Sequence, residues 1–189
     1  MDKKINDIDD DKLTNLITAS ASSAIDVYYR SLTNNAQSPI EALFLVAMWS
    51  RGCWSERLTI KIDATLDELI RGAARQPHKM QGAAQVDIGR YRVDFVMVLN
   101  RFGRKDPFIL AIECDGHDHH EKTKEQAQHD KSRDRALTAA GCTVLRFTGS
   151  EIWKDAGKCA DEAFAVMHGL KQAEYAAFVG LDDHTGDHA

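Results

Sequence analysis

The chain has 189 residues, 43% of them hydrophobic and 28% charged, with 29 acids against 24 lysines and arginines for a net charge of −5. Those values suit a single soluble globular domain with a real core, and they exclude a collagenous, disordered or globally basic nucleic-acid-coating protein. Net acidity does not exclude contact with nucleic acid, because local bases and bound cations govern what happens at a phosphate. Four cysteines, Cys53, Cys114, Cys142 and Cys159, form no CxxC pair, so a thiolate zinc knuckle is not expected and buried small hydrophobes are. The polar, acidic start carries no leader pattern and no apolar run reaches spanning length, so the expected compartment is the reducing cytoplasm, with no membrane partner.

In chain order, residues 1–12 are polar. Leu13, Leu16, Ile17, Ala21, Ala24, Ile25 and Tyr28 recur at helical spacing and predict a helix over 13–33, closed by the break at 34–37. Ser38, Pro39 and Glu41 form a helix start: a cap, a proline at the first helical position and an acid three residues after the cap. The following run, Ala42 to Trp49, is apolar nearly all round and predicts a buried helix ending at Arg51-Gly52. Leu58–Ile62 alternates like a strand, 64–76 reads equally as a short helix or a loop, and Gln85–Ile88 reads as a short strand before a turn at Gly89.

Two apolar strands come next, Tyr91–Leu99 and Phe108–Cys114, joined by the polar stretch 100–107. If this hairpin is centred between Gly103 and Arg104, Asp94 falls opposite Glu113, close enough for one cation to touch both carboxylates. Strand parity places Arg90 and Arg92 on Asp94's face, with Tyr91, Val93, Phe95 and Met97 on the other. Glu113 and Asp115 share a face, and Ile112 and Cys114 oppose them. Acids able to hold a cation beside bases able to hold a phosphate suit a phosphodiester-cleaving site. A structural ion pair with Arg92 or Arg146 is the competing account of the two acids.

After Glu113 comes a dense polar cluster, Asp115-Gly116-His117-Asp118-His119-His120. Asp115 is either a turn residue or a further ligand. His117 and His120 are candidates to take a proton or touch a phosphate, since a neutral imidazole accepts a proton near pH 7, while His119 reads as solvent-facing. A zinc site from Cys114 and the histidines is disfavoured, because parity turns Cys114 away from Glu113. Residues 121–140 predict a polar helix stopped at Gly141; Lys122 and Lys124 at its start can reach phosphates, while Arg133 and Asp134 are expected to hold it to the sheet. Thr143–Phe147 predicts a strand parallel to the preceding one. Ser150 is read as the cap of a last helix through about residue 172, with Ile152, Trp153, Ala160, Phe164 and Met167 as core contacts, followed by a polar tail. Trp49, Trp54 and Trp153 all read as packing residues.

Tyr91-Arg92-Val93-Asp94-Phe95, Ile112-Glu113-Cys114-Asp115-Gly116-His117, Asp130-Lys131-Ser132-Arg133-Asp134, then Leu137, Gly141 and Val144-Leu145-Arg146-Phe147 form an ordered set. Over residues 38–170 this set resembles the endonuclease-like family related to very-short-patch-repair endonucleases, within the PD-(D/E)XK, or restriction-endonuclease-like, superfamily. The resemblance implies an α/β fold, a mixed β-sheet flanked by helices, with an N-terminal helical extension (1–37), the endonuclease-like domain (38–179) and a polar tail (180–189). It implies a metal-dependent DNA endonuclease or nickase, with Asp94, Glu113 and the Cys114 carbonyl holding Mg²⁺, or Mn²⁺ in its place. Glu41 takes the upstream helical acid's position; Asp115, His117 and His120 complete the catalytic candidates; Arg90, Arg92, Lys122 and Lys124 are the phosphate contacts. DNA is the implied partner, and a homodimer would suit cutting of both strands. The chain departs from the superfamily pattern at Asp115, where a lysine is usual two residues after the glutamate. The alternative is a non-cleaving DNA-binding or assembly module on an inactivated nuclease fold.

Overall fold

The computed structural model describes residues 30, 34, 36–52, 57–101, 104–115 and 124–182. The helix expected over 13–33 lies outside them except for Arg30, as do Trp54 and residues 183–189 of the expected tail. The elements are α1 (Pro39–Arg51), β1 (Leu58–Lys61), α2 (Leu66–Arg75), β2 (Met80–Ile88), β3 (Tyr91–Leu99), β4 (Phe108–Asp115), α3 (Lys124–Ala139), β5 (Cys142–Thr148) and α4 (Gly149–Asp182). Among the described residues, no helix is long and apolar enough to cross a membrane.

Helix α1 starts as its sequence dictates. Ser38 Oγ accepts the Glu41 amide at 3.2 Å, Pro39 takes a position that needs no N–H, and Gly52 closes the helix. Helix α2 settles the ambiguity over 64–76: Thr65 and Glu68 form a reciprocal capping box, and the overlooked signal was Thr65-Leu66-Asp67-Glu68 itself. Strand β2 begins at Met80, five residues earlier than expected. Gly82, Ala83 and Ala84 have little strand propensity, but a Cβ on Gly82 would stand 2.9 Å from the Phe95 ring, so packing against β3 selects the small residue. Helix α4 begins one residue before Ser150. Thr148 is the cap, accepting the Glu151 amide at 3.2 Å while Glu151 takes the Thr148 amide at 2.8 Å. The helix runs on ten residues past its expected end and is interrupted at Asp155, whose backbone is extended and whose carboxylate accepts the Lys158 amide at 2.9 Å.

The five strands lie in the order β1-β2-β3-β4-β5. The outer pairs β1–β2 and β4–β5 are parallel, while β2–β3 and β3–β4 are antiparallel. This is the expected mixed sheet with helices packed on both faces. One face packs α1 and α4 through Phe44, Leu45, Met48, Ile152, Phe164 and Met167 against Phe95, Met97, Leu110 and Ile112. Phe44 anchors it, edge-on to Phe95 at 6.1 Å between centroids and tilted on Phe147 at 5.6 Å. The other face packs Leu69 and Ala73 of α2 and Leu137 of α3 against Val86, Val93, Val96, Val98 and Ala111. Burying each such Leu, Phe or Met side chain is worth about 1.5–3 kcal/mol, so these two layers hold the sheet rigid beneath the site.

Two further expectations fail. Trp153 is 71% exposed: its neighbour Ile152 is fully buried, and consecutive helical residues cannot both face the sheet. The uniform parity of β3 also breaks. Phe95, Met97 and Leu99 pack with α1 and α4, but Val93 packs with α2 and α3. Strand β2 inverts opposite the same point, Ala84 packing with the first group and Val86 with the second. Gln85 lies at that inversion with φ of 55°, a left-handed backbone inside a strand, which turns the following residues over without shifting the register.

Candidate functional site

The β3–β4 ladder runs from Leu99↔Phe108 to Phe95↔Ile112, in the register that a turn centred on Gly103 and Arg104 requires. It stops one residue short of Asp94 and Glu113. There the Cys114 amide donates at 2.8 Å to Asp94 Oδ2 in place of a main-chain carbonyl. The carboxylate thus sits where the two strands part, and Glu113 follows on β4 with only 2% of its surface exposed.

Both acids are raised, Glu113 in part by the charge of Asp94. Burial pushes the Glu113 carboxyl up to about 8, with the Asp94 charge the next cause, against the opposing pull of Arg133 and Arg146. Burial likewise raises Asp94; Glu41 adds to the rise, while the Cys114 amide, Arg133 and a hydrogen bond from Gln85 oppose it. Arg133 comes from α3. Its Nη2 lies 2.8 Å from Glu113 Oε1 and donates to the Arg92 carbonyl. The contact with Glu113 is an ion pair without hydrogen-bond geometry, since Glu113 Oε1 and Arg133 Nε are buried polar atoms with no hydrogen-bond partner. The structural ion pair weighed from sequence therefore exists, with Arg133 as its base rather than Arg92 or Arg146.

Glu41 joins from α1. Its carboxylate serves the helix start, accepting the Gln37 amide at 2.8 Å and the Ser38 hydroxyl at 3.0 Å. It also accepts Gln85 Nε2 at 2.8 Å, while Gln85 Oε1 accepts Arg92 Nε at 3.1 Å. The upstream acid is thus a capping residue and a neighbour of Asp94 at once. Asp115 is half-buried and paired with Arg146 at 2.9 Å; Arg146 also holds Asp134 at 2.7 Å, joining β4, β5 and α3. Arg133 and Asp134 tie the helix to the sheet as expected.

Arg90 stands in the turn before β3, not on Asp94's face: its guanidinium lies 4.9 Å from the Tyr91 ring centre and donates to the Tyr91 hydroxyl at 2.7 Å. Arg90 precedes β3, so strand alternation does not set where it points. Arg92 is exposed and borders the acids through Gln85. His117, His120 and Lys122 lie outside the described residues, and so does the side chain of Lys124. Cys114, Cys142 and Cys159 are buried free thiols, each raised by burial.

Among the described residues, no group of three or more His, Cys, Asp or Glu side chains converges as a metal cage. Two neighbouring carboxylates nonetheless suit a hard divalent cation in kind, with Glu113 Oε1 now paired to Arg133. Mg²⁺ is commonly held by one or two carboxylates and keeps several of its waters. The residue sequence reasoning missed is Arg133, read only as a helix tether; its reach to Glu113, like that of Gln85 to Glu41, is not encoded in local spacing.

A family model described as REase_MTES_1575 matches residues 74–167, which span β2 to most of α4 and include both acids. The chain is similar to that restriction-endonuclease-like family over 94 of its 189 residues, just under half. No curated protein and no solved structure gives a significant match.

Proposed function

We propose that this restriction-endonuclease-like chain is a Mg²⁺-dependent DNA endonuclease or nickase, with Asp94 and Glu113 as the metal-binding pair. One observation carries the reading: two acids, both raised by burial, end the β3–β4 ladder, one with a buried oxygen left without a hydrogen bond. Groups that cost this much to bury are retained where they have work to do. In this reading Asp94 and Glu113 hold the cation with the Cys114 carbonyl. Bound there, a divalent cation lowers the pKa of a ligand water and stabilises charge on the attacked phosphate. Glu41 adds negative charge beside Asp94. Arg92, Arg90, Lys122 and Lys124 contact the phosphate backbone, and His117 or His120 takes the proton from water. With no cation present, Glu113 lies against Arg133.

The test is cleavage of supercoiled, linear, mismatched and single-stranded DNA with Mg²⁺, Mn²⁺ or chelator. Asp94→Ala and Glu113→Ala should each abolish metal-dependent cutting while circular dichroism shows a folded chain. Cutting that survives both changes refutes the proposal. A second reading, a non-cleaving DNA-binding module, draws on the occupied carboxylate of Glu113 and on Asp115, bound to Arg146, at the position where lysine is usual. DNA affinity without any Mn²⁺ binding by calorimetry would favour it.

A further inference from the structure

Gln85 has three features that do not belong together in an ordinary strand residue. Its φ of 55° is a conformation that glycine and, less readily, asparagine adopt at low cost, and glutamine does not. It lies at the position where both β2 and β3 exchange one face of the sheet for the other. Its amide is fully engaged: Nε2 on Glu41 at 2.8 Å, Oε1 on Arg92 at 3.1 Å, with a further hydrogen bond to Asp94. A backbone that needed only the inversion would be served better by glycine. The strained conformation aims one neutral side chain at two acids and a base drawn from α1 and β3.

We propose that Gln85 is a positioning residue, which fixes the Glu41 carboxylate beside Asp94 and orients Arg92, so that strain in β2 is retained for the site rather than for the sheet. An amide suits the role because it donates to carboxylates without adding charge. A carboxylate at 85 would repel both Glu41 and Asp94, and a lysine or arginine would neutralise them and compete with a cation. The cavity of about 290 Å³ beside Gln85, lined also by Asp63, Thr65, Ala84 and Arg92, leaves room for altered side chains, so variants there need not disturb the core. This inference rests on the nuclease reading, since a site that holds no cation has no use for the arrangement.

The experiment compares wild type, Asp94→Ala, Glu41→Ala, Gln85→Gly, Gln85→Leu and the double variant Glu41→Ala/Gln85→Gly. Steady-state cleavage and Mn²⁺ calorimetry are measured for each. Gly relieves the backbone and removes the amide; Leu keeps the bulk and removes the amide. Both should lower kcat by about 10–100-fold with KM within threefold, and weaken Mn²⁺ binding by about 3–10-fold. The double variant should be no worse than Glu41→Ala alone, because the two side chains act as a unit. Gln85→Gly within twofold of wild type in both readouts, or a double variant that loses the product of the single effects, overturns the inference and leaves the nuclease reading standing. A wild-type chain that neither binds Mn²⁺ nor cuts, or an Asp94→Ala chain that does both, overturns the nuclease reading and the inference with it.

Discussion

Replacing Glu113 by glutamine should stabilise the metal-free protein at alkaline pH. The buried carboxyl is pushed from its ordinary value of 4.5 up to about 8, so the native chain holds a proton that the unfolded chain releases. Stability from this group is fully present below pH 4.5 and falls as pH rises through about 8, the sign expected when the folded state binds more protons. A shift of this size corresponds to a loss of roughly 3–5 kcal/mol across the window, at 1.36 kcal/mol per pH unit. Glutamine has the same shape and no charge to bury, but it strips Arg133 of its counter-ion, which returns part of the gain. A net stabilisation of about 1–3 kcal/mol at pH 8 follows, or about 2–4 °C in Tm per kcal/mol for a chain of this length. The assay is thermal melting of wild type and Glu113→Gln in chelator between pH 4.5 and 8.5. The gap should open with rising pH and close near pH 4.5. A variant equally destabilised at both ends would refute the claim that Glu113's charge is costly in the fold.

Adding Mn²⁺ at pH 8 should raise the Tm of wild type and leave Glu113→Gln and Asp94→Asn nearly unmoved, as melting curves at saturating cation will show. Arg133→Met should push the Glu113 carboxyl still higher, so its destabilisation should grow as pH rises above 8 and be smaller at pH 5 or in combination with Glu113→Gln; urea titration reads the difference. Thr148→Ala should cost about 1 kcal/mol through loss of the α4 cap, whereas Ser150→Ala should lie within about 0.5 kcal/mol of wild type in the same titration.

The hairpin was readable because two constraints agree there: alternation marks both strands and a polar turn fixes their offset, so Asp94 and Glu113 could be paired from spacing alone. Helix α1 was readable because Ser38, Pro39 and Glu41 are all local signals. Other features answer to partners distant in sequence. Gly82 and its alanine neighbours form a strand because the Phe95 ring lies against them. The left-handed turn at Gln85 follows from what its side chain reaches, Glu41 being 44 positions away. Arg133 looks like one base among many on a charged helix, and only the packing of α3 onto the sheet brings it to Glu113. Ser150 misled for a different reason: Thr148 to Glu151 was an equally local capping signal, two residues earlier.

The hydrogen bond from the Cys114 amide to Asp94 Oδ2 gives the site its own gauge. An N–H held by a neighbouring strand opens only when the sheet does. This one is held by a carboxylate, so its exchange with deuterium should follow the state of that single side chain. The amides of Leu110 and Ile112, which lie inside the paired stretch, serve as an internal standard. Following Cys114 against them as cation or nucleic acid is added would report occupancy of the site directly, even in a chain that never cuts.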